Sequence, residues 1–343
     1  MESLIGKTLN ELKSLVHELG MPAFAAKQIG DWLYKKKVSS IDEMTNLSLN
    51  HRNQLKEKYI VGRNGYTKKQ ESTDGTVKYL FPTSNLHFIE TVYIPDKERA
   101  TLCVSSQVGC KMNCLFCMTG KQGFSGQLTS GDILNQILSV PESEALTNVV
   151  FMGMGEPLDN TDEVLKALEI LTADYGFAWS PKRITVSTIG MIPGLKRFLT
   201  ESKAHLAISL HSPYHEERLS LMPVEKAYHL SEVLNVIRSA DFTHQRRVSF
   251  EYILFGGLND DRKHALALAL LLKDIPCRVN LIKYHSIPGI NLPASNPETM
   301  VVFRDILNVQ GITAKIRTSR GEDILAACGM LSSQTTVELK IKS

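Results

Sequence analysis

The sequence predicts an α/β fold: a helical amino-terminal segment, a β-hairpin, and then six strand–helix units whose strands pair in parallel. Three observations carry this prediction. Apolar residues recur at helical spacing early in the chain, the strand-like runs "TVKYLF" and "HFIETVYI" flank the turn "PTSN", and from about residue 100 strand-like and helical stretches alternate. With 343 residues, 43% of them hydrophobic, the chain has enough apolar surface for a substantial core.

Within the first segment, residues 1–62, Thr8 and Glu11 have the spacing of a capping box, Leu9, Leu12, Leu15, Val16 and Leu19 repeat on one helical face, and Gly20 stops the run. A second helix is expected after Pro22, through Trp32 and Leu33. Residues 63–98 begin with a polar, glycine-containing stretch, and the hairpin follows it. From 99 to 343, strands are expected at "ATLCVSS", "TNVVFMG", "RITVSTI", "HLAISLH", "VSFEYIL" and "CRVNLIKYH", with helices at 161–172, 227–238 and 262–272 among those between them. A last strand near 312–317 precedes the tail. Such a sheet is either open and doubly wound or a barrel short of eight strands, and in both the site lies at the carboxyl ends of the strands.

Composition narrows the function classes. No run of eighteen apolar residues is present, and "MESLIGKTLNELK" carries charge where a signal peptide carries its apolar stretch, so the expectation is a cytoplasmic protein without a membrane partner. A net charge of +3 permits a nucleic-acid partner without demanding one. The basic clusters "KKK" at 35–37, "TKK" at 67–69, "SPKR" at 180–183 and "HQRR" at 244–247 are scattered, and each alone reads as a solvated face.

Four of the six cysteines fall within fifteen residues, in "CVSSQVGCKMNCLFC". In a reducing compartment, clustered cysteines are metal ligands or redox catalysts before they are disulfides. Cys110, Cys114 and Cys117 form C-x3-C-x2-C on the loop after the first barrel strand, and Cys103 stands apart on the strand itself. Three thiolates at this spacing can hold three irons of a cubane cluster and leave the fourth open to a substrate's amino and carboxylate groups. Structural zinc prefers four protein ligands. No histidine lies between positions 88 and 204, which removes a local Cys3His site and leaves zinc completed by Cys103 or a remote ligand as the alternative.

The order C-x3-C-x2-C after the first strand, "GMGEP" after the second and a serine after the third resembles the radical S-adenosylmethionine superfamily. "TLCVSSQVGCKMNCLFCMTG", "FMGMGEPLDN", "VSTIGMIPG", "SLHSPYHEERLSLMP" and "RGEDILAACG" together resemble the RlmN-type RNA adenine carbon-2 methyltransferases, over essentially the whole chain. The resemblance implies a partial (β/α)6 radical-SAM barrel with a helical accessory domain that docks RNA and a β-hairpin extension. It implies a 4Fe-4S cluster on Cys110, Cys114 and Cys117, with S-adenosylmethionine as methyl donor and radical source. The implied partners are 23S rRNA, tRNA and a low-potential electron donor such as flavodoxin or ferredoxin, acting on a monomer.

Residue by residue, the resemblance gives Gly155 and Glu156 to the amino end of S-adenosylmethionine, and Ser187, Ser209, Leu210 and His211 to further contacts with it. His285 in "IKYHSIPG" stands where the family often has asparagine, and is carried over as one more contact. Cys328, between two alanines and Gly329, becomes the methyl-carrying cysteine, Cys103 the thiol that resolves the covalent intermediate, and Glu90 the group that removes the proton from the modified base. On residue chemistry alone, Glu90 shares a strand face with Phe88, Val92 and Ile94, where a carboxylate is costly unless paired, neutral or functional. Cys277 has no such context and is given no role.

Other readings remain. The same machinery serves adenine carbon 8 in the antibiotic-resistance relatives; Pro157 after Glu156 leans toward carbon 2. A radical generator that activates another protein needs no second pair of thiols, and a zinc-stabilised RNA-binding module needs no chemistry at all.

Overall fold

The computed structural model describes residues 1–242 and 248–332; the basic cluster at 244–247 lies outside the described residues. Its centre is one ten-stranded sheet in which neighbours in space are neighbours in sequence. From one edge the strands are Lys68–Glu71, Val77–Pro82, Phe88–Asp96, Arg99–Cys103, Asn148–Phe151, Ile184–Thr188, His205–Ser209, Val248–Leu254, Cys277–Lys283 and Thr313–Ile316. The first four pair antiparallel and the last seven, counting Arg99–Cys103 in both sets, pair parallel.

Six helices return the chain between the parallel strands: Ser130–Ser139, Thr161–Thr172, Ile192–Glu201, Leu230–Arg238, Arg262–Leu272 and Pro297–Val309. Parallel strands buried on both faces read as near-continuous apolar runs, and Val248–Leu254 is buried at every position. The two edge strands do not pair with each other, so the barrel is partial and open along a seam.

The sheet departs from expectation at its amino-terminal edge. Lys68–Glu71, in the stretch read as a polar loop, is a third antiparallel strand, so the hairpin is part of a meander. "KKQE" has charge on both faces because it is an edge strand with alternating half-buried and exposed positions. The hairpin also continues the barrel sheet without a break, since Val92 registers with Cys103 and Cys103 with Val150.

At the amino terminus, Thr8 caps helix Leu9–Glu18 with the reciprocal Glu11 bond, and Gly20 follows at φ +64°. Helix Ala25–Gly30 runs into a π-helical turn at Asp31–Lys35, and helix Leu49–Lys58 leads into a short strand that pairs with Glu2–Ser3. These elements sit on the first two barrel helices. The Ser130 hydroxyl donates to the Gly6 carbonyl at 3.1 Å, Lys166 meets Glu11 at 2.6 Å, and a Cβ on Gly6 would lie 2.5 Å from the Gly131 nitrogen.

Candidate active site

The carboxyl ends of the parallel strands open into a cavity, and the three cysteines of the C-x3-C-x2-C loop line one wall of it. The loop is held on two sides. Leu115 N–H donates to Leu221 at 2.9 Å, and Met118 N–H to Gly329 of the tail at 2.7 Å. Phe116, between two of the cysteines, meets His211 edge-to-face at 4.8 Å. Burial pushes the Cys110 thiol up to about 12 and Cys114 well above its ordinary value, and the neighbouring thiols raise Cys114 further. Three sulfurs close enough to repel as thiolates form a donor set that suits an iron–sulfur cluster, whose positive irons would hold them deprotonated.

Gly153, Gly155 and Glu156, which follow strand Asn148–Phe151, line the same cavity. Gly155 sits at φ +102°, and a Cβ there would come 2.5 Å from the side chain of Gln107, so only glycine fits. Glu156 is 3% exposed; its carboxylate accepts from Thr188 Oγ1 at 2.5 Å and from the Leu158 and Ile189 N–H groups at 3.0 Å. Burial outweighs these donors and raises its pKa to about 7.

Ser187, Ser209 and His211 line the same cavity at successive strand ends. His211 has a positive φ of 58°, a costly conformation for a side-chain-bearing residue, and is held there by two bonds. Its Nδ1 accepts from Ile253 N–H at 3.0 Å, and its carbonyl accepts from Asn259 Nδ2 at 2.6 Å. Burial depresses its pKa to about 3, which keeps the ring neutral, with the proton on Nε2.

Leu210 and His285, the other two residues that the resemblance gives to the cofactor, are not among those lining this cavity. Leu210 is fully buried; it donates its N–H to the Glu251 carbonyl, and its own carbonyl accepts from Arg218. His285 lies beyond the end of strand Cys277–Lys283 and turns toward the seam, where its Nε2 meets Ser319 Oγ at 3.0 Å and its Nδ1 meets Glu322 Oε1 at 2.8 Å. Its ring lines a second cavity with Arg99, Arg317 and Arg320.

Cys328 lines both cavities and is solvent-accessible within them. Burial raises its pKa and Arg317 pulls it back. Cys103 is 7% exposed; burial pushes its thiol up to about 12, and the charge of Cys328 adds to the rise. Among the described residues all six cysteines are free thiols, and Cys277 is buried in the core.

Glu90 lies inside the sheet at 1% exposure, paired across to Lys78 at 3.1 Å, and Oε2 accepts from Ser332 N–H of the tail at 2.9 Å. Lys78 also donates to the Leu325 carbonyl at 3.3 Å. The tail carrying Cys328 is thus anchored on one side to this buried pair and on the other to the cluster loop.

Sequence reasoning missed three buried charges around the site. Lys78 is one. Arg218, fully buried in "HEERLSLMP", ties the Ile189, Ser209 and Leu210 carbonyls together and pairs with Glu225. Glu251 lines the cluster cavity from the middle of strand Val248–Leu254. A charge inside an apolar strand run was the available signal for Lys78 and Glu251.

Residues 104–269 match the Radical SAM superfamily, and residues 3–61 match the ribosomal RNA large subunit methyltransferase N-terminal domain. The solved structure of a radical SAM methyltransferase from Sphaerobacter thermophilus superposes with a TM-score of 0.91 at 36% identity, covering 97% of this chain and 100% of that one. A probable dual-specificity RNA methyltransferase RlmN of Parabacteroides distasonis is 62% identical over 97% of each chain. The chain belongs to the RlmN family. A dual-specificity RNA methyltransferase RlmN of Syntrophus aciditrophicus is 42% identical over 96% of each chain, and a probable one of Porphyromonas gingivalis is 56% identical over 99% of each. As a member of the RlmN family with a Radical SAM match, the protein is a radical S-adenosylmethionine methyltransferase that uses a 4Fe-4S cluster and S-adenosylmethionine.

Proposed function

We propose that this enzyme methylates carbon 2 of an adenosine in 23S rRNA and in tRNA through a methylated cysteine, and consumes two molecules of S-adenosylmethionine per turnover. The observation that carries the reading is the position of Cys328 in the wall shared by the cluster cavity and the seam cavity. One cavity takes S-adenosylmethionine, the other takes the target nucleotide, and one sulfur serves both. Adenine carbon 2 lies between two ring nitrogens and is not nucleophilic, so a cationic methyl group cannot be transferred to it directly.

Cys110, Cys114 and Cys117 would hold the cluster. When bound with S-adenosylmethionine, it supplies a deoxyadenosyl radical. The work of the chain begins with the Cys328 thiolate, which takes the methyl group of a first S-adenosylmethionine and releases S-adenosylhomocysteine. The Cys328 methyl gives a hydrogen atom to the deoxyadenosyl radical, which leaves as deoxyadenosine, and the methylene radical left on Cys328 adds to carbon 2 of the adenine and joins protein to RNA. One electron leaves the adduct, for which the oxidised cluster would be the acceptor, and Glu90 takes the original proton from carbon 2, whose bonding pair returns to the ring. Cys103 then attacks the Cys328 sulfur. An S–S bond forms, the S–CH2 bond breaks, and its electron pair with a proton completes the new methyl group. The resulting disulfide is reduced before the next cycle.

Gly155, Glu156, Ser187, Ser209 and His211 hold S-adenosylmethionine, with its ammonium at Glu156. Because burial lifts Glu156 to about 7, the carboxylate charges only as pH rises through neutrality. Affinity for S-adenosylmethionine is therefore expected to weaken about tenfold from pH 8 to pH 6, and to become pH-independent over that range in Glu156→Gln. Calorimetric titration at the two pH values reads this directly; a flat profile in the unmodified enzyme removes Glu156 from the ammonium site.

The amino-terminal residues 1–62 dock RNA, residues 63–98 extend the sheet and supply Glu90, and residues 99–343 carry the rest of the chemistry. Phe24 is 65% exposed, and Lys36 lies 3.4 Å from the centre of the Trp32 ring, a pairing of cation and aromatic surface suited to nucleic acid. Removing residues 1–60 should weaken RNA binding about tenfold or more and flatten its salt dependence, with little change in S-adenosylmethionine affinity. Unchanged RNA affinity in a folded truncation makes the segment a stabilising cover only. The enzyme acts in the cytoplasm as a monomer, fed by a low-potential donor of the flavodoxin or ferredoxin class; no helix among the described residues is long and apolar enough to cross a membrane. Mass analysis of nucleosides from treated RNA tests the reading against its carbon-8 rival, with 2-methyladenosine expected and 8-methyladenosine contradicting it.

A further inference from the structure

Glu251 is 3% exposed and lines the cluster cavity, yet its two oxygens are treated differently. Oε1 accepts from Ser249 Oγ at 3.1 Å and from Asn280 Nδ2 at 2.8 Å. Oε2 is buried without a hydrogen-bond partner among the described residues, and the nearest cation, Arg317, stands 3.6 Å away. The Arg317 charge offsets part of the desolvation cost, but a buried carboxylate oxygen without a short hydrogen bond keeps the rest of it, so the site is complete when something else donates to that oxygen.

The donor must be neutral or cationic, because a phosphate or carboxylate would be repelled. The ammonium of S-adenosylmethionine is already matched by Glu156. Glu156 follows strand Asn148–Phe151, and Glu251 stands three strands farther along the sheet, so the two carboxylates address different parts of one ligand. Carboxylates that meet nucleosides commonly accept from ribose hydroxyls. We propose that Glu251 is a binding residue whose Oε2, faced by Arg317 but without a hydrogen-bond donor among the described residues, accepts a hydrogen bond from a ribose hydroxyl of an adenosine seated beside Cys328. That adenosine is either the adenosyl group of S-adenosylmethionine or the target nucleotide, since Glu251 borders the cluster cavity and also a polar cavity shared with Arg99 and Arg317.

The inference rests on the reading of the cluster cavity as the S-adenosylmethionine site, and the two fail separately. The experiment titrates the cluster-containing full chain, unmodified and as Glu251→Gln, with S-adenosylmethionine in one arm and with a substrate RNA oligonucleotide in the other. Glu251→Gln keeps the shape but lacks the charge, and is expected to lose about tenfold in affinity in one arm and to stay near the unmodified value in the other. A 2′- or 3′-deoxyribose version of the affected ligand should bind both proteins alike. Loss in the S-adenosylmethionine arm assigns the adenosyl ribose, and loss in the RNA arm assigns the target ribose. Should Glu251→Gln prove unstable, the deoxyribose ligands decide alone: undiminished binding of every deoxy form to the unmodified enzyme overturns the proposal, as does unchanged affinity of Glu251→Gln in both arms. Failure of the unmodified chain to bind S-adenosylmethionine at all overturns the cavity reading instead.

Discussion

Replacing Cys103 by alanine should turn the enzyme into a trap for its own RNA. The two thiols act at opposite ends of the proposed cycle. Cys328 accepts a methyl group first, so Cys328→Ala should give no methylated protein, no adduct and no product. Cys103 acts last. In Cys103→Ala the methylene radical still forms and adds, and nothing remains to attack the Cys328 sulfur, so protein accumulates covalently joined to RNA. The charge of Cys328 raises the Cys103 thiol, and Cys103 is buried, which restricts its attack to a partner that reaches it inside the fold. A denaturing gel with labelled RNA, followed by mass analysis of the peptide around Cys328, reads the result. Normal turnover of Cys103→Ala, or no denaturant-stable adduct under reducing conditions with S-adenosylmethionine, defeats the two-thiol mechanism.

The second large effect concerns Cys110, Cys114 and Cys117. Replacing all three by alanine should abolish bound iron and visible absorbance and leave the barrel folded. Folding should survive because the loop is fixed by backbone bonds to Leu221 and Gly329, and in the small apolar cluster around Phe116, where Cys114 is buried and Cys117 packs at the edge, alanine keeps an apolar side chain. Iron and sulfide assays on anaerobically purified protein, with circular dichroism to follow the fold, check both halves. Iron and sulfide retained in stoichiometric amount would refute the assignment of these ligands.

Much of the barrel is legible in the sequence because parallel strands covered on both faces must be apolar runs. "VSFEYIL" matches strand Val248–Leu254, and helices 161–172 and 262–272 lie where the periodicity puts them. Thr8 and Glu11 announce a cap because capping is a contact between near neighbours. Strand Lys68–Glu71 was hidden because an edge strand with polar positions on both faces carries no alternation to detect.

The cysteine loop and the glycines of "GMGEP" stand out by spacing, and both face the cluster cavity. The buried charges do not stand out in the same way. Arg218 acts on carbonyls at Ile189, Ser209 and Leu210, and Lys78 meets Glu90 across two strands; such partners are set by the sheet and not by local pattern. His285, given to the cofactor by its motif position, borders the seam cavity beyond strand Cys277–Lys283 and meets Ser319, a partner that no local pattern announces.

The central claim is that the methyl group passes through a carbon radical on Cys328, and isotope content tests it most directly. RNA is methylated with S-adenosylmethionine bearing a CD3 group, digested to nucleosides and weighed. Because one hydrogen of the Cys328 methyl is removed before carbon–carbon bond formation and replaced when Cys103 releases the product, the account predicts 2-methyladenosine whose new methyl carries two deuterons and one proton. A methyl group that retains all three deuterons means direct transfer, and contradicts it.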